Sequence, residues 1–292
     1  MTDKIRSIGL VAKPGNEEAI SLARDLAAWL LDRGLVPALD ETLTGLKDLA
    51  GSFELTDYAA QDLIVVLGGD GTMLHAARQA GLSGVPLVGI NLGSLGFLTA
   101  VTVAQTFPAL EMILRGELRP EERMRLRVKV ERRGRLVFES VVLNDVVLTK
   151  EALARIVDLA TSIDGRRLTD YRADGLIVST PTGSTAYNLS AGGPILHPLL
   201  SAMIVTPICP FTLANRPLVV PGTAELKVGL GPGAEGVYLT CDGQEGLSLA
   251  AEDQVIVSRT KTLKLFPSPT ADHYSILRTK LGWGNHGTNP AS

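Results

Sequence analysis

Three short segments bring reactive residue types together. The first is Gly68-Gly69-Asp70-Gly71-Thr72, directly after the apolar run 63–67. Glycines around a lone aspartate let the backbone turn tightly and approach a ligand closely. The N–H groups of such a loop, opening a helix, suit phosphate oxygens. A carboxylate beside phosphates repels them, so Asp70 must either serve a divalent cation or take a proton from a hydroxyl. The loop by itself points to phosphoryl transfer onto an alcohol. A plain strand-to-helix turn capped by Asp70 is the ordinary alternative. The loop matches neither the GxxxxGK[ST] nor the GxGxxG nucleotide pattern.

The second segment is Arg172-Ala173-Asp174-Gly175, an apolar run, and then Pro181-Thr182-Gly183-Ser184-Thr185-Ala186-Tyr187. It offers hydroxyls and backbone at close approach, with Tyr187 able to stack or hydrogen-bond; a Ser/Thr/Gly loop is the ordinary reading. Ser184 lacks the GxSxG elbow and has no evident His partner, which argues against a serine hydrolase. The third segment is Asn144-Asp145, which interrupts the apolar stretch 143–148. Two adjacent polar side chains there need partners if buried. They suit the vicinal hydroxyls of a ribose, or a strand-end turn.

The elements around these segments change character along the chain. Up to about residue 120, apolar runs (7–12, 63–67, 86–90) alternate with helical patterns. Asn16 caps a helix opened by Glu17 and Glu18 and stopped near Gly34; further helices are expected at 71–80 and 103–115. This rhythm predicts a parallel sheet with helices on its faces. Beyond Pro120 come many short strands with turn signals at Arg133-Gly134 and Asp164-Gly165, the pattern of an antiparallel sandwich or barrel-like unit. Arg125, Arg127 and Lys129 alternate with apolar residues and read as a solvated sheet face. The segment 272–283 is helical in pattern, and 284–292 reads as a flexible tail. The expected organisation is an α/β domain over 1–120, a β-rich domain over 121–268, a helix over 269–283 and the tail.

Composition excludes several classes. The chain has 292 residues, 45% hydrophobic and 20% charged, the balance of a folded protein rather than a disordered one. Lys+Arg at 28 against Asp+Glu at 31 leaves a net charge of −3, without the basic excess of a nucleic-acid binder. No apolar run reaches the ~18 residues of a membrane span, and the start Met1-Thr2-Asp3-Lys4 has no signal pattern. A cytoplasmic protein is expected. Cys209 and Cys241 each lie in an apolar stretch and read as buried thiols. The four histidines lack ligand spacing, so no protein metal site is expected.

Taken together, the segments resemble the NAD kinase family over nearly the whole chain. The matching pieces are GGDGT (68–72), GINLGSLGFL (89–98), LNDVVL (143–148), RADGLIVSTPTGSTAYNLSAGGPIL (172–196) and LRTKLGW (277–283). The block with TPTGSTAY is highly specific. GGDGT alone is not, since 6-phosphofructokinases and the diacylglycerol and sphingosine kinases carry similar loops. The resemblance implies transfer of the γ-phosphoryl group of ATP, or of polyphosphate, to the adenosine-ribose 2′-hydroxyl of NAD. It also implies a Rossmann-like N-terminal α/β domain, a β-sandwich-like C-terminal domain, NAD in the cleft between them, and a final helix returning to the first domain.

By the same resemblance Asp70 is the catalytic base, and Gly71 borders NAD and the phosphates. Gly68, Gly69, Thr72 and His75 lie on the phosphate side. Asn144 and Asp145 hold NAD near its ribose, with Asp145 standing where Glu is commoner. Asp174 meets the nicotinamide end with Arg172 adjacent. Phe97, Thr182, Thr185, Ala186, Tyr187, Asn188, Leu189 and Ser190 line NAD, and Arg155 and Gln244 match weaker positions. In family homo-oligomers some of these contacts come from a neighbouring subunit, and a homodimer or homotetramer is expected. No lysine stands out as a phosphate clamp, so Mg²⁺ or another divalent cation is expected to supply most of the neutralisation. The competing readings are a lipid or sugar kinase sharing GGDGT, and an NAD(P)-binding sensor without activity. The second conflicts with an intact Asp70.

Overall fold

The computed structural model describes residues 5–46, 52–150, 156–212, 214–231 and 236–283. Arg155 and the tail 284–292 lie outside them. The chain divides into two compact units, Met1–Glu121 with Lys264–Ser292, and Glu122–Leu263.

The first unit runs β1 (Ser7–Ala12), α1 (Glu17–Leu31), β2 (Val36–Leu39), β3 (Phe53–Glu54), β4 (Leu63–Leu67), α2 (Asp70–Gln79), β5 (Leu87–Asn91), β6 (Val101–Thr102), α3 (Thr106–Leu114) and β7 (Glu121–Arg123). The helix expected at 103–115 opens with a 3-10 turn, Val103–Gln105, before α3 begins. The second unit runs β8 (Leu126–Arg132), β9 (Arg135–Val142), β10 (Asp145–Lys150), β11 (Val157–Ile163), β12 (Arg166–Ala173), β13 (Gly175–Ser179), α4 (Tyr187–Ser190), β14 (Ala202–Ile208), β15 (Leu218–Pro221), β16 (Leu226–Leu230), β17 (Val237–Cys241), β18 (Glu245–Leu249) and β19 (Asp253–Arg259). The chain closes with β20 (Leu263–Phe266) and α5 (His273–Leu281), and the first unit reclaims it from Lys264 onward. The last helix thus returns to the first unit.

In the first unit the strand order is β3-β2-β1-β4-β5-β20-β7, with β6 also paired to β5. The pairs from β3 through β20 are parallel. Every residue of β4 is fully buried, as a strand covered on both faces requires. Helix α1 starts where the Asn16 side chain accepts the Ala19 N–H at 2.8 Å, with Glu17 and Glu18 at its positive end. It buries Leu22, Leu26 and Leu30 against Ile8, Leu10 and Leu63 of the sheet.

The second unit is a sandwich of two six-stranded antiparallel sheets, β15-β14-β13-β10-β17-β18 and β12-β11-β16-β19-β8-β9. Inward residues of both sheets, including Val128, Leu148, Leu159, Val178, Val205 and Leu239, form one aliphatic core. The turns at Arg133-Gly134 and Asp164-Gly165 carry two left-handed residues each, the geometry that joins twisted hairpin strands.

Two expectations are corrected. Arg125 does not belong to a solvated face: it is 2% exposed. It precedes β8, and its guanidinium donates to the carbonyls of Lys261 and Thr262 at 3.0 and 3.3 Å. Burial pulls its pKa down to about 10. Cys209 is exposed, because β14 ends one residue earlier and the chain turns there with φ +45°. Cys241 is buried as expected, and burial pushes its thiol up to about 12.

Candidate active site

In the first unit, β4 delivers the chain to Gly68, whose N–H bonds to Ile90 O at 2.9 Å. A side chain on Gly68 would collide with the Thr72 side chain and crowd Lys13, so the turn into α2 accepts only glycine there. Gly69 and Gly71 differ: a Cβ on either would meet open space. They leave backbone bare beside a cavity of about 480 Å³, whose wall also carries Lys13, Asp40, Thr42, Thr72 and His75. No side chain caps α2 at Gly69, which leaves the positive end of the helix to the cavity side. Asp40 is held at Oδ1 by the Thr42 N–H at 2.8 Å and by its hydroxyl. Burial nonetheless raises its pKa above the ordinary carboxylate value.

Asp70 is not on that wall. Its side chain turns to the segment 97–99, where Oδ2 accepts the Phe97 N–H at 2.9 Å. Oδ1 accepts the Leu98 and Thr99 N–H groups at 3.0 and 3.1 Å and the Thr99 hydroxyl at 3.1 Å. Three donors fill Oδ1, and the single donor on Oδ2 leaves that oxygen able to accept a further hydrogen bond. Gly96 makes the arrangement possible, since a Cβ there would overlap Asp70 Oδ1 and Thr99 Oγ1.

In the second unit, the start of β10 and the ends of β13 and β17 lie together, with Asp145 opposite Ser179 and Val146 opposite Cys241. Thr180 pins the corner: its N–H donates to Asn144 O at 2.9 Å and its hydroxyl to Leu143 O at 2.5 Å. Gly183 packs so closely on the Asn144 backbone that no Cβ fits. Asn144 is half-buried, whereas Asp145 is only 5% exposed. Burial, reinforced by the neighbouring Asp242 carboxylate, pushes Asp145 up to about 7. Thr182 is buried, and its hydroxyl has no partner among the described residues.

After that corner, Ser184 is fully buried; its hydroxyl donates to Pro181 O at 2.6 Å and accepts the Leu196 N–H at 3.0 Å. Asn188, expected to line the ligand, is instead enclosed. Its amide donates to Ser184 O and Pro194 O at 3.0 and 3.1 Å, and its oxygen accepts the Thr206 hydroxyl at 2.7 Å. Its side chain secures the loop. Thr185, Ala186 and Leu189 are half-buried, Tyr187 and Ser190 exposed. Gln244 follows Asp242 and Gly243 in the β17–β18 turn and is exposed.

Arg172 and Asp174 are not brought to this corner. They precede β13, and Ser179 ends it. Five strand residues at about 3.3 Å each separate the two ends by roughly 17 Å. At the far end Asp174 pairs with Lys150 at 3.0 Å, and the Arg172 guanidinium lies 5.3 Å from the Phe211 ring centroid.

Residues 8–118 match the family described as the ATP-NAD kinase N-terminal domain, and residues 143–266 match the ATP-NAD kinase C-terminal domain. The chain belongs to the NAD kinase family. The NAD kinase of Syntrophobacter fumaroxidans is 49% identical over 282 residues, 96% of this chain and 99% of that protein. That of Geotalea daltonii is 47% identical over 282 residues with the same coverage. Among solved structures, yeast NADH kinase complexed with NADH shares the fold with TM-score 0.85 at 24% identity, covering 100% of this chain and 91% of its own. An NAD kinase from Archaeoglobus fulgidus in complex with ATP does so with TM-score 0.70 at 23% identity, covering 94% and 97%.

Four residues of this NAD kinase family member escaped the sequence reading. Lys13, a cation on the cavity wall, follows β1 with only Pro14-Gly15 to mark a turn. Gly96 and Thr99 shape the Asp70 carboxylate from 26 and 29 positions away. Asp242 lies next to buried Asp145, and its only sequence signal is the Asp242-Gly243 turn.

Proposed function

We propose that this member of the NAD kinase family transfers the γ-phosphoryl group of ATP to the adenosine-ribose 2′-hydroxyl of NAD, with Asp70 taking the hydroxyl proton. The O2′ oxygen attacks the γ-phosphorus, the bond to the β–γ bridging oxygen breaks, and the proton passes to Asp70 Oδ2, the oxygen with room for it. Gly69, Gly71 and Thr72 offer backbone and the helix end to the phosphates, with Lys13 and His75 as flanking basic groups. Asn144 and Asp145 hold the ribose side of NAD, and the exposed Tyr187 packs on the dinucleotide.

Among the described residues no three His, Cys, Asp or Glu side chains converge on a metal position. The divalent cation of this reading arrives with the nucleotide. Mg²⁺ characteristically keeps its waters and takes few protein carboxylates; bound with ATP it neutralises phosphate charge. Asp40 and Glu41 are the carboxylates that border the cavity.

The assembly is a homodimer or homotetramer. Arg172 and Asp174 stand too far along β13 to serve their own chain's Asn144 corner, which supports their serving a neighbouring copy. Leu199, Leu200, Phe211, Leu218 and Val219 are exposed apolar residues at or near edge strand β15. The cytoplasm is the proposed compartment, in keeping with cysteines that form no disulfide.

The observation that carries the reading is the ordered match of both units to the two NAD kinase domains. The experiment supplies purified protein with Mg²⁺, with ATP or polyphosphate, and with NAD, NADH, diacylglycerol or fructose 6-phosphate. Formation of NADP(H) alone supports it; phosphorylation of the lipid or sugar in its place overturns it.

A further inference from the structure

Asp242 has no part in the transfer just described, yet its surroundings are unusual. It sits in a tight turn after β17 with φ +50°, followed by Gly243 at φ +64°. A left-handed non-glycine residue persists where surrounding contacts hold it, and aspartate tolerates that region better than most. Those contacts are three consecutive backbone N–H groups. Leu143 donates to Asp242 Oδ2 at 2.8 Å, and Asn144 and Asp145 donate to Oδ1 at 2.7 and 3.0 Å. The Asp242 N–H returns a bond to Asp145 O at 2.9 Å. The N–H groups of all three residues 143–145 thus end on one carboxylate.

We propose that Asp242 is a positioning residue for the acceptor: its carboxylate fixes the backbone of 143–145 and thereby sets where Asn144 and Asp145 meet NAD. The inference rests on the reading of those two residues as acceptor groups. A carboxylate suits this position because it offers only acceptors, to three N–H groups that point the same way.

The same contact has an electrostatic consequence. Asp145 lies opposite uncharged Ser179 on β13 and beside the Cys241 thiol and the Asp242 carboxylate; Glu245 at the start of β18, which receives the Ser140 hydroxyl from β9, bears on Cys241 and Asp242. At Asp145 burial is the larger cause of the raised pKa, and the charge that adds to it is that of Asp242. Asp242 is itself raised by burial, with the three N–H groups opposing the shift. Asp242 therefore fixes the placement of Asp145 and adds to the burial that raises the pH at which it ionises.

The test measures kcat and KM for NAD at saturating ATP, across about pH 5.5 to 8.5, which brackets the raised Asp145 value of about 7. It compares wild type, Asp242→Asn, Asp145→Asn and Asn144→Ala, with thermal melts for each. Asp242→Asn keeps one oxygen but turns an amide donor toward the Leu143 N–H. KM for NAD should rise roughly tenfold or more, with kcat within about threefold. The pH step in KM should move to lower pH, because a like charge beside Asp145 is gone. Asp145→Asn should abolish that step. A merely structural Asp242 would lower the melting temperature and leave the KM and its pH step in place, and that result overturns the inference. Should Asp242→Asn not fold, Asp242→Glu keeps both oxygens but displaces them. It should raise KM for NAD while retaining the pH step, and an unchanged KM overturns the inference. If Asp145→Asn and Asn144→Ala raise KM while Asp242→Asn does not, this inference alone fails. If all three leave KM unchanged, the acceptor reading beneath it fails as well.

Discussion

Asp70 and Asp242 lie in different units and are bound alike. Asp70 receives the N–H groups of Phe97, Leu98 and Thr99; Asp242 receives those of Leu143, Asn144 and Asp145. In both, the first donor goes to Oδ2 and the next two to Oδ1. The difference lies in which partner keeps capacity for a ligand. At Asp70 the donating segment brings apolar side chains and the Thr99 hydroxyl, which also turns to the carboxylate, so the group left over is the carboxylate itself. At Asp242 the carboxylate is used up on the backbone, and the donating segment carries Asn144 and Asp145. On the proposed reading, one motif therefore immobilises a reactive group in the first unit and a pair of binding groups in the second. Its presence alone does not say which.

The comparison can be broken from either side. Short of replacing Asp70 itself, the largest effect is expected at Gly96→Ala, whose methyl overlaps Asp70 Oδ1 and Thr99 Oγ1. Pushing a reacting carboxylate by an ångström costs on the order of 10²-fold. Steady-state NADP formation should show that loss in kcat, with melts confirming a folded protein. Tyr187→Ala should come next, weakening NAD binding by on the order of 1–3 kcal/mol and ATP binding much less. Separate KM titrations for the two substrates check it. Thr99→Val removes one of four donors to Asp70 and keeps the backbone N–H. A loss of roughly tenfold in kcat, with KM for NAD unchanged, is expected at the low end of what one hydrogen bond to a charged group is worth, since three other donors remain on Asp70.

The smallest effect concerns stability. Folded Asp145 titrates near about 7, above its unfolded value. Between those values the folded protein holds a proton that the unfolded chain has released, so this contribution to stability is lost as pH rises through that window. Asp145→Asn should then melt higher than wild type above pH about 7, by roughly 2–4 °C for a gain of about 1 kcal/mol. The gain should fade toward pH about 4. A uniform gain at every pH would detach it from this ionisation.

What the sequence disclosed was local. Asn16 with Glu17 and Glu18 marked the start of α1, continuous apolar runs marked β1 and β4, and Asp-Gly marked the turn between β11 and β12. Strand β2 was hidden because Pro37 argues against a strand, and it is tolerated near the edge where only short β3 lies outside. The insertion of β20 beside β5 pairs Leu265 with Leu87, a partnership that no local pattern encodes. Cys209 misled because the apolar run outlasts its strand by one residue. Arg125 misled because alternation assigns a face but not what covers it. At the site, side-chain chemistry picked out Asp70, Asn144 and Asp145. The residues that hold them act on the backbone of distant segments, and a glycine, a threonine or a turn aspartate such as Asp242 carries no local sign of that role.

The central claim is that Asp70 acts through its free acceptor position and not merely as a clamp on 97–99. Asp70→Asn tests it most directly, since Asn keeps the size of the side chain and caps a helix about as well as Asp. Steady-state NADP formation by wild type and Asp70→Asn, with melts for both, should show kcat reduced by roughly 10²–10⁴ and KM for NAD within a few-fold, the mark of a lost proton acceptor. A well-folded Asp70→Asn retaining more than about a third of the wild-type kcat would contradict the claim, since a positioned base is worth far more than that.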